Sequence, residues 1–199
     1  MRHDQDERRQ RKVKIIIGVF IVAVMVLSTF GFVLDYASTS GVTERVGGIA
    51  FRQSSNGVVA RIEGVTMTFN YFPSQIRTIP AEGRIKDILR DTPALYITSD
   101  PTDPYAKDID EVSLYLSTVL PETKQIYVAP GFTNATGYAR PQITCDNATA
   151  YAPVIYFFRA NQTGLSVQDN CVLAAAQVPN DVYRLNERLL LLMLGVLDE

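Results

Sequence analysis

Residues 94–129, ALYITSDPTDPYAKDIDEVSLYLSTVLPETKQIYVA, decide the fold class. The apolar run from Ala94 to Thr98 follows Pro93 and predicts a buried strand. Asp103-Pro104 then offers an N-cap with proline at the first helical position. Tyr105, Ile109, Val112, Leu116 and Val119 recur at spacings of four and three, the period of an amphipathic helix that Pro121 is expected to stop. Gln125 to Ala129 reads as a second strand. A strand, a helix and a strand in this order imply a right-handed parallel crossover.

Upstream of this unit the period is two. Ile49 to Gln53 and Val58 to Ile62 flank Ser54-Ser55-Asn56-Gly57, and Asn-Gly is the strongest short hairpin signal. After Glu63-Gly64, Val65, Met67, Phe69 and Tyr71 alternate with Thr66, Thr68 and Asn70, so a three-stranded antiparallel meander with one buried face is expected. Ile85, Ile88 and Leu89 suggest a short helix over about 81–91. Downstream, residues 130–152 carry little periodicity and form a long loop. Pro153 to Phe158 and Cys171 to Ala176 read as two more strands, with Asn161 to Gly164 starting their connection. The chain closes on a helix capped by Asn180 or Asp181 and running to about Leu197. Leu185, Leu189, Leu192, Met193 and Val196 make one face and Leu190, Leu191 and Leu194 widen it nearly all round, which reads first as a core helix packed on the sheet and, as the sharper alternative, as a surface that meets a partner chain. The expected fold is therefore α+β or α/β: an N-terminal transmembrane helix, a meander, a strand-helix-strand unit in a mixed sheet and a final apolar helix.

The transmembrane expectation rests on Ile15 to Leu34, which holds no charged residue and no polar stripe. At about 1.5 Å per residue such a helix spans a bilayer core of about 30 Å. The run is longer than the apolar region of a signal peptide, which favours an uncleaved signal anchor. Arg2, Arg8, Arg9, Arg11, Lys12 and Lys14 precede it, whereas the nearest bases beyond are Arg45 and Arg52, so residues 1–14 are placed in the cytoplasm and the remainder outside the plasma membrane. Residues 35–48 read as a linker and 49–199 as an extracytoplasmic domain. The tail carries six bases against three acids, and the rest thirteen against eighteen. A mildly acidic outer domain argues against nucleic acid as its partner.

Both cysteines, Cys145 and Cys171, fall in the outer part, and without a nearby histidine they make a disulfide rather than a metal site. Such a bridge stabilises by about 3–4 kcal/mol in the chain-entropy model. Asn134, Asn147 and Asn161 begin N-x-T sequons around the first cysteine and are candidate N-glycosylation sites or ordinary loop residues.

Composition excludes whole classes of chemistry. The chain of 199 residues has one histidine, His3, so imidazole-based triads and His-bearing zinc sites are excluded from the outer domain. Neither G-x-x-x-x-G-K nor G-x-G-x-x-G occurs, and no cofactor is expected. The densest acids, Asp100, Asp103, Asp108, Asp110 and Glu111, begin where the Ala94 strand ends, at the edge where open α/β sheets bind ligands. Gly131, Phe132 and Asn134 are expected beside them. Asp100 and Asp103 could bind Ca²⁺ or work as an acid and base pair, although capping and solvation explain these acids more simply. Tyr138 and Arg140 of the long loop are candidate ligand contacts for a glycan or peptide.

The basic tail, signal anchor and small outer domain, with Cys145-Asp-Asn147-Ala-Thr149, Pro153-Val154-Ile155 and Asn170-Cys171, resemble uncharacterised archaeal single-pass membrane-anchored surface proteins. The resemblance implies a compartment and no activity. The function expected from the sequence is interaction or assembly at the membrane, with the lipid bilayer and another membrane or surface protein as partners. The alternative is a carboxylate-dependent hydrolase or Ca²⁺-dependent receptor centred on Asp100 and Asp103.

Overall fold

The computed structural model describes residues 17–26 and 41–198. The chain divides into two units, one ending at Val42 and the other beginning at Thr43. In the first, residues 17–26 are helical (α1) and their side chains are exposed. Among the described residues no helix is long and apolar enough to cross a membrane. The expected span 15–34 extends beyond α1 on both sides, and those flanks, like the tail 1–14, lie outside the described residues.

The second unit holds a four-stranded antiparallel sheet and a five-stranded mixed sheet. The first sheet runs β1 (Thr43–Val46), β2 (Ile49–Ser54), β3 (Gly57–Ile62) and β4 (Val65–Phe69) in sequence order. Two short helices, α2 (Pro73–Ile76) and α3 (Ile85–Leu89), lead to β5 (Ala94–Ser99). Then follow α4 (Ala106–Lys124), β6 (Tyr127–Phe132), a 3₁₀ turn at Cys145–Asn147, β7 (Val154–Arg159), β8 (Gly164–Gln168), β9 (Cys171–Ala176) and α5 (Pro179–Met193). The second sheet has the order β6-β5-β7-β9-β8, with β6, β5, β7 and β9 parallel and β8 antiparallel along the edge.

The meander, the parallel pairing of β5 with β6 and the mixed sheet follow the sequence pattern, and several details differ, among them the helix caps: Tyr105 rather than Asp103 precedes α4, and Val178 rather than Asn180 or Asp181 precedes α5. The expected linker 35–48 ends inside the sheet: Thr43 to Val46 pair with β2, so the meander has four strands. Alternation of Thr43, Glu44, Arg45 and Val46 was masked by the Gly47-Gly48 pair that makes the turn. Pro121 does not stop α4, because it sits exposed near the helix end, where a missing N–H leaves the affected carbonyl to water; the helix ends at Gln125, in left-handed conformation with φ 58°. The connection after β7 contains a strand, β8, whose Leu165 is buried. In α5 every residue from Leu189 to Leu194 is buried within the domain, as the core-helix reading expects, and the surplus apolar surface is consumed internally rather than left for a partner chain.

That burial has a structural cause. The helices form a layer between the sheets, and one core joins Phe51, Ile62 and Phe69 of the first sheet to Leu95, Ile97, Phe157 and Val172 of the second. A helix enclosed on all sides must be apolar on all sides. Gly195, with φ 69°, ends α5: Gly195 N–H donates to the Leu192 carbonyl and Val196 N–H to that of Leu191, which turns Val196 and Leu197 back into the core.

Candidate functional site

The C-terminal ends of β5 and β7 bring Asp100 and Asp103 into one neighbourhood with Tyr156, whose pKa is raised by burial and then by both acids' charges. Each acid is already engaged. Asp100 Oδ1 accepts from the Thr102 hydroxyl (2.7 Å) and backbone N–H (2.8 Å), which holds its carboxyl below the ordinary range. Asp103 Oδ1 accepts from Tyr105 N–H (2.7 Å), closing the turn before α4, and its Oδ2 accepts from Arg159 N–H (3.0 Å) at the end of β7. Among the described residues no group of three or more His, Cys, Asp or Glu could hold a metal ion.

The acidic run does not converge. Asp110 pairs with Arg140, while Asp108 and Glu111 accept from the Tyr183 hydroxyl on α5 (2.9 and 3.0 Å). Arg140 also lies over the Phe132 ring (4.9 Å), and Tyr138 meets that ring edge-on (5.0 Å). Tyr138 and Arg140 thus share one small cluster, separate in its contacts from Asp100 and Asp103.

Gly131 does not open on a cleft. A Cβ there would fall 2.5 Å from Ile143 Cδ1, so the long loop occupies the space a larger residue would need. Ile143 N–H donates to the Phe132 carbonyl (2.9 Å), and its own carbonyl accepts from Thr98 Oγ1 (2.7 Å). The Cys145–Cys171 disulfide staples this loop to the start of β9, and Ile143, Val154 and Cys171 form a second, smaller core. This loop is the sole cover among the described residues on that face of the five-stranded sheet, since the helices all pack on the other. Tyr156, Phe158, Leu173 and Ala175 therefore remain half-buried, with Tyr156 and Phe158 stacked at 5.1 Å. The sequon residues Asn134, Asn147 and Asn161 are exposed.

A cavity that sequence reasoning missed lies between β4, α4 and α5. It measures about 170 Å³ and is lined by Asn70, Glu111, Tyr115, Tyr183, Asn186 and Glu187 among others. Glu187 is only 3% exposed. Its Oε1 accepts from the N–H of Asn70 (2.6 Å) and its side-chain amide (3.0 Å), and its Oε2 accepts from Tyr71 N–H (3.1 Å). Burial nevertheless dominates and raises the carboxyl to about 7, against the pull of those donors. Burial and the nearby Glu187 push the Tyr115 phenol up to about 12, and burial with the Asp108 and Glu111 hydrogen bonds raises Tyr183 as well. Asn186 Oδ1 is buried without a partner. Chemically, the cavity can hold and release a proton near neutrality. The signal was present in Asn186-Glu187-Arg188, a polar triplet in a helix apolar all round, where some polar side chains had to be buried.

No family model, curated protein or solved structure matches the chain.

Proposed function

We propose that the chain is a single-pass membrane protein whose extracytoplasmic domain mediates interaction or assembly at the membrane surface. The anchor reading is supported by the uncharged apolar run 15–34 behind six bases, and the outside placement by the disulfide, a bond kept in oxidising compartments. The observation that carries the interaction reading is the face of the five-stranded sheet that the long loop covers only in part. Parallel strands are ordinarily buried on both faces, yet here Tyr156, Phe158, Leu173 and Ala175 are left half-buried. Aromatic and aliphatic groups displayed on rigid strands suit a protein partner. The alternative, a hydrolase or Ca²⁺ receptor at Asp100 and Asp103, has less support, because both oxygens of Asp103 already bind backbone N–H groups.

The test is size analysis of the full chain extracted from its native membrane in mild detergent. Wild type should elute in an assembly larger than the detergent-bound monomer, and Phe158→Asp with Leu173→Asp should release it. A wild-type chain that elutes as the monomer would refute the interaction reading.

A further inference from the structure

The outward face of the four-stranded sheet is basic, although the region beyond the apolar run carries five more acids than bases. Alternation buries Phe51, Val58, Ala60, Ile62, Met67 and Phe69, leaving Arg45, Arg52 and Arg61 on the opposite face. The register groups them: Arg45 lies directly across from Ala50, and Arg52 is two residues along the same strand. Arg52 pairs with Val59, and Arg61 lies two residues beyond Val59 along β3, on the same face. Arg52 is thus the diagonal neighbour of Arg45 on one side and of Arg61 on the other, at spacings of about 7–8 Å.

Among the described residues no carboxylate on that face neutralises them. By alternation none of its strand residues is acidic, and the nearest carboxylates in sequence are engaged elsewhere. Glu44 accepts from Ser74 N–H (2.9 Å) and Oγ (2.7 Å), and Glu63 pairs with Lys124 (2.9 Å). Among the described residues no ion pair holds Arg45, Arg52 or Arg61; Arg61 Nε donates to the Gly64 carbonyl (3.2 Å). Between Arg52 and Arg61 runs a groove of about 410 Å³, walled by Ala50, Val59 and Thr66. Like charges set side by side destabilise a sheet, and an anion seated among them removes that cost.

We propose that this arginine face docks on the phosphates of anionic lipid headgroups in the membrane that anchors the chain. The inference rests on the anchor reading in one respect: residues 35–42, between the apolar run and β1, reach at most ~30 Å, which keeps the sheet within range of the bilayer surface. Guanidinium groups bind phosphate oxygens in pairs and are weakly hydrated, so desolvation opposes such docking less than it would for lysines. Docking by this face leaves the opposite sheet, with Tyr156 and Phe158, turned away from the lipid.

The test uses the full chain with a donor dye on Asn56→Cys, in the hairpin between β2 and β3, reconstituted into vesicles bearing a headgroup acceptor. Energy transfer should be higher in vesicles with about a third phosphatidylglycerol than in pure phosphatidylcholine, and high salt should abolish the difference. Each arginine near a charged surface contributes about fivefold, so R45Q/R52Q/R61Q should lower the docked-to-undocked ratio by roughly a hundredfold. Equal transfer in the two lipids, or a lipid effect that survives the triple substitution, overturns the proposal. Loss of the effect with millimolar inorganic phosphate at constant ionic strength also overturns it, by assigning the site to a soluble anion. Alkaline extraction of the same vesicles reads the anchor separately: a chain that washes off refutes the anchor, whereas a retained chain without lipid-dependent transfer refutes only the docking.

Discussion

Replacing Glu187 with glutamine isolates the thermodynamic consequence of a carboxyl group buried beside the cavity. The native group is raised from 4.5 to about 7, chiefly by burial. Between those values the folded chain holds a proton that the unfolded chain has released, so stability falls as pH rises across the window and is flat above it. At about 1.4 kcal/mol per pH unit, the loss approaches 3 kcal/mol. Asp100 and Asp181 act in the opposite sense and elsewhere. Thr102 lowers the first, while in the second hydrogen bonds from Thr163, Arg184 and Val178 overcome burial, so their contributions disappear only as pH falls below the carboxylate range.

Glutamine cannot accept all three N–H groups that meet Glu187, and E187Q should therefore lose about 1–3 kcal/mol at low pH, independent of proton binding. The discriminating quantity is the slope. Urea unfolding of the full chain in detergent, followed by far-ultraviolet circular dichroism from about pH 4.5 to 8, should show wild-type stability declining and E187Q nearly level. An equal slope in the two proteins would refute the assignment of a raised carboxyl to Glu187.

Three further outcomes follow from the packing. Cys145→Ser with Cys171→Ser should lower unfolding free energy by about 3–4 kcal/mol, measured by urea denaturation, and should speed proteolysis within residues 133–153 before the sheet is cut. Gly131→Ala should destabilise by about 1–3 kcal/mol in the same assay, because its methyl group meets Ile143 Cβ at 2.9 Å and not just the flexible tip. Asp103→Ala should lower the melting temperature by removing acceptors from Tyr105 and Arg159 N–H, and millimolar Ca²⁺ should shift neither wild type nor variant; a Ca²⁺-dependent rise in wild type alone would revive the receptor reading.

Much of the architecture was legible because its causes are local. The alternation of Val65, Met67 and Phe69, the Asn56-Gly57 turn and the four-and-three spacing from Tyr105 to Val119 each specify an element without reference to the rest of the chain. Strand β1 was hidden by its brevity and by Gly47-Gly48, and β8 by polar neighbours along an edge. The candidate site was less legible. Asp100, Asp108, Asp110 and Glu111 are close in sequence but face different partners, because successive positions on a helix or turn point in different directions.

By itself the sequence determined the types of the longer elements, the uncharged run 15–34, the exclusion of imidazole chemistry beyond that run and the cysteine pair. Tertiary structure decided the rest: that α5 is enclosed between two sheets, that Asn70 and Glu187 meet across 117 residues, and that Arg45 and Arg61 flank Arg52 on one face of the first sheet. Periodicity is a property of neighbours along the chain. Burial of a carboxylate and clustering of like charges depend on register and layer packing between segments far apart in sequence, and no local pattern encodes them.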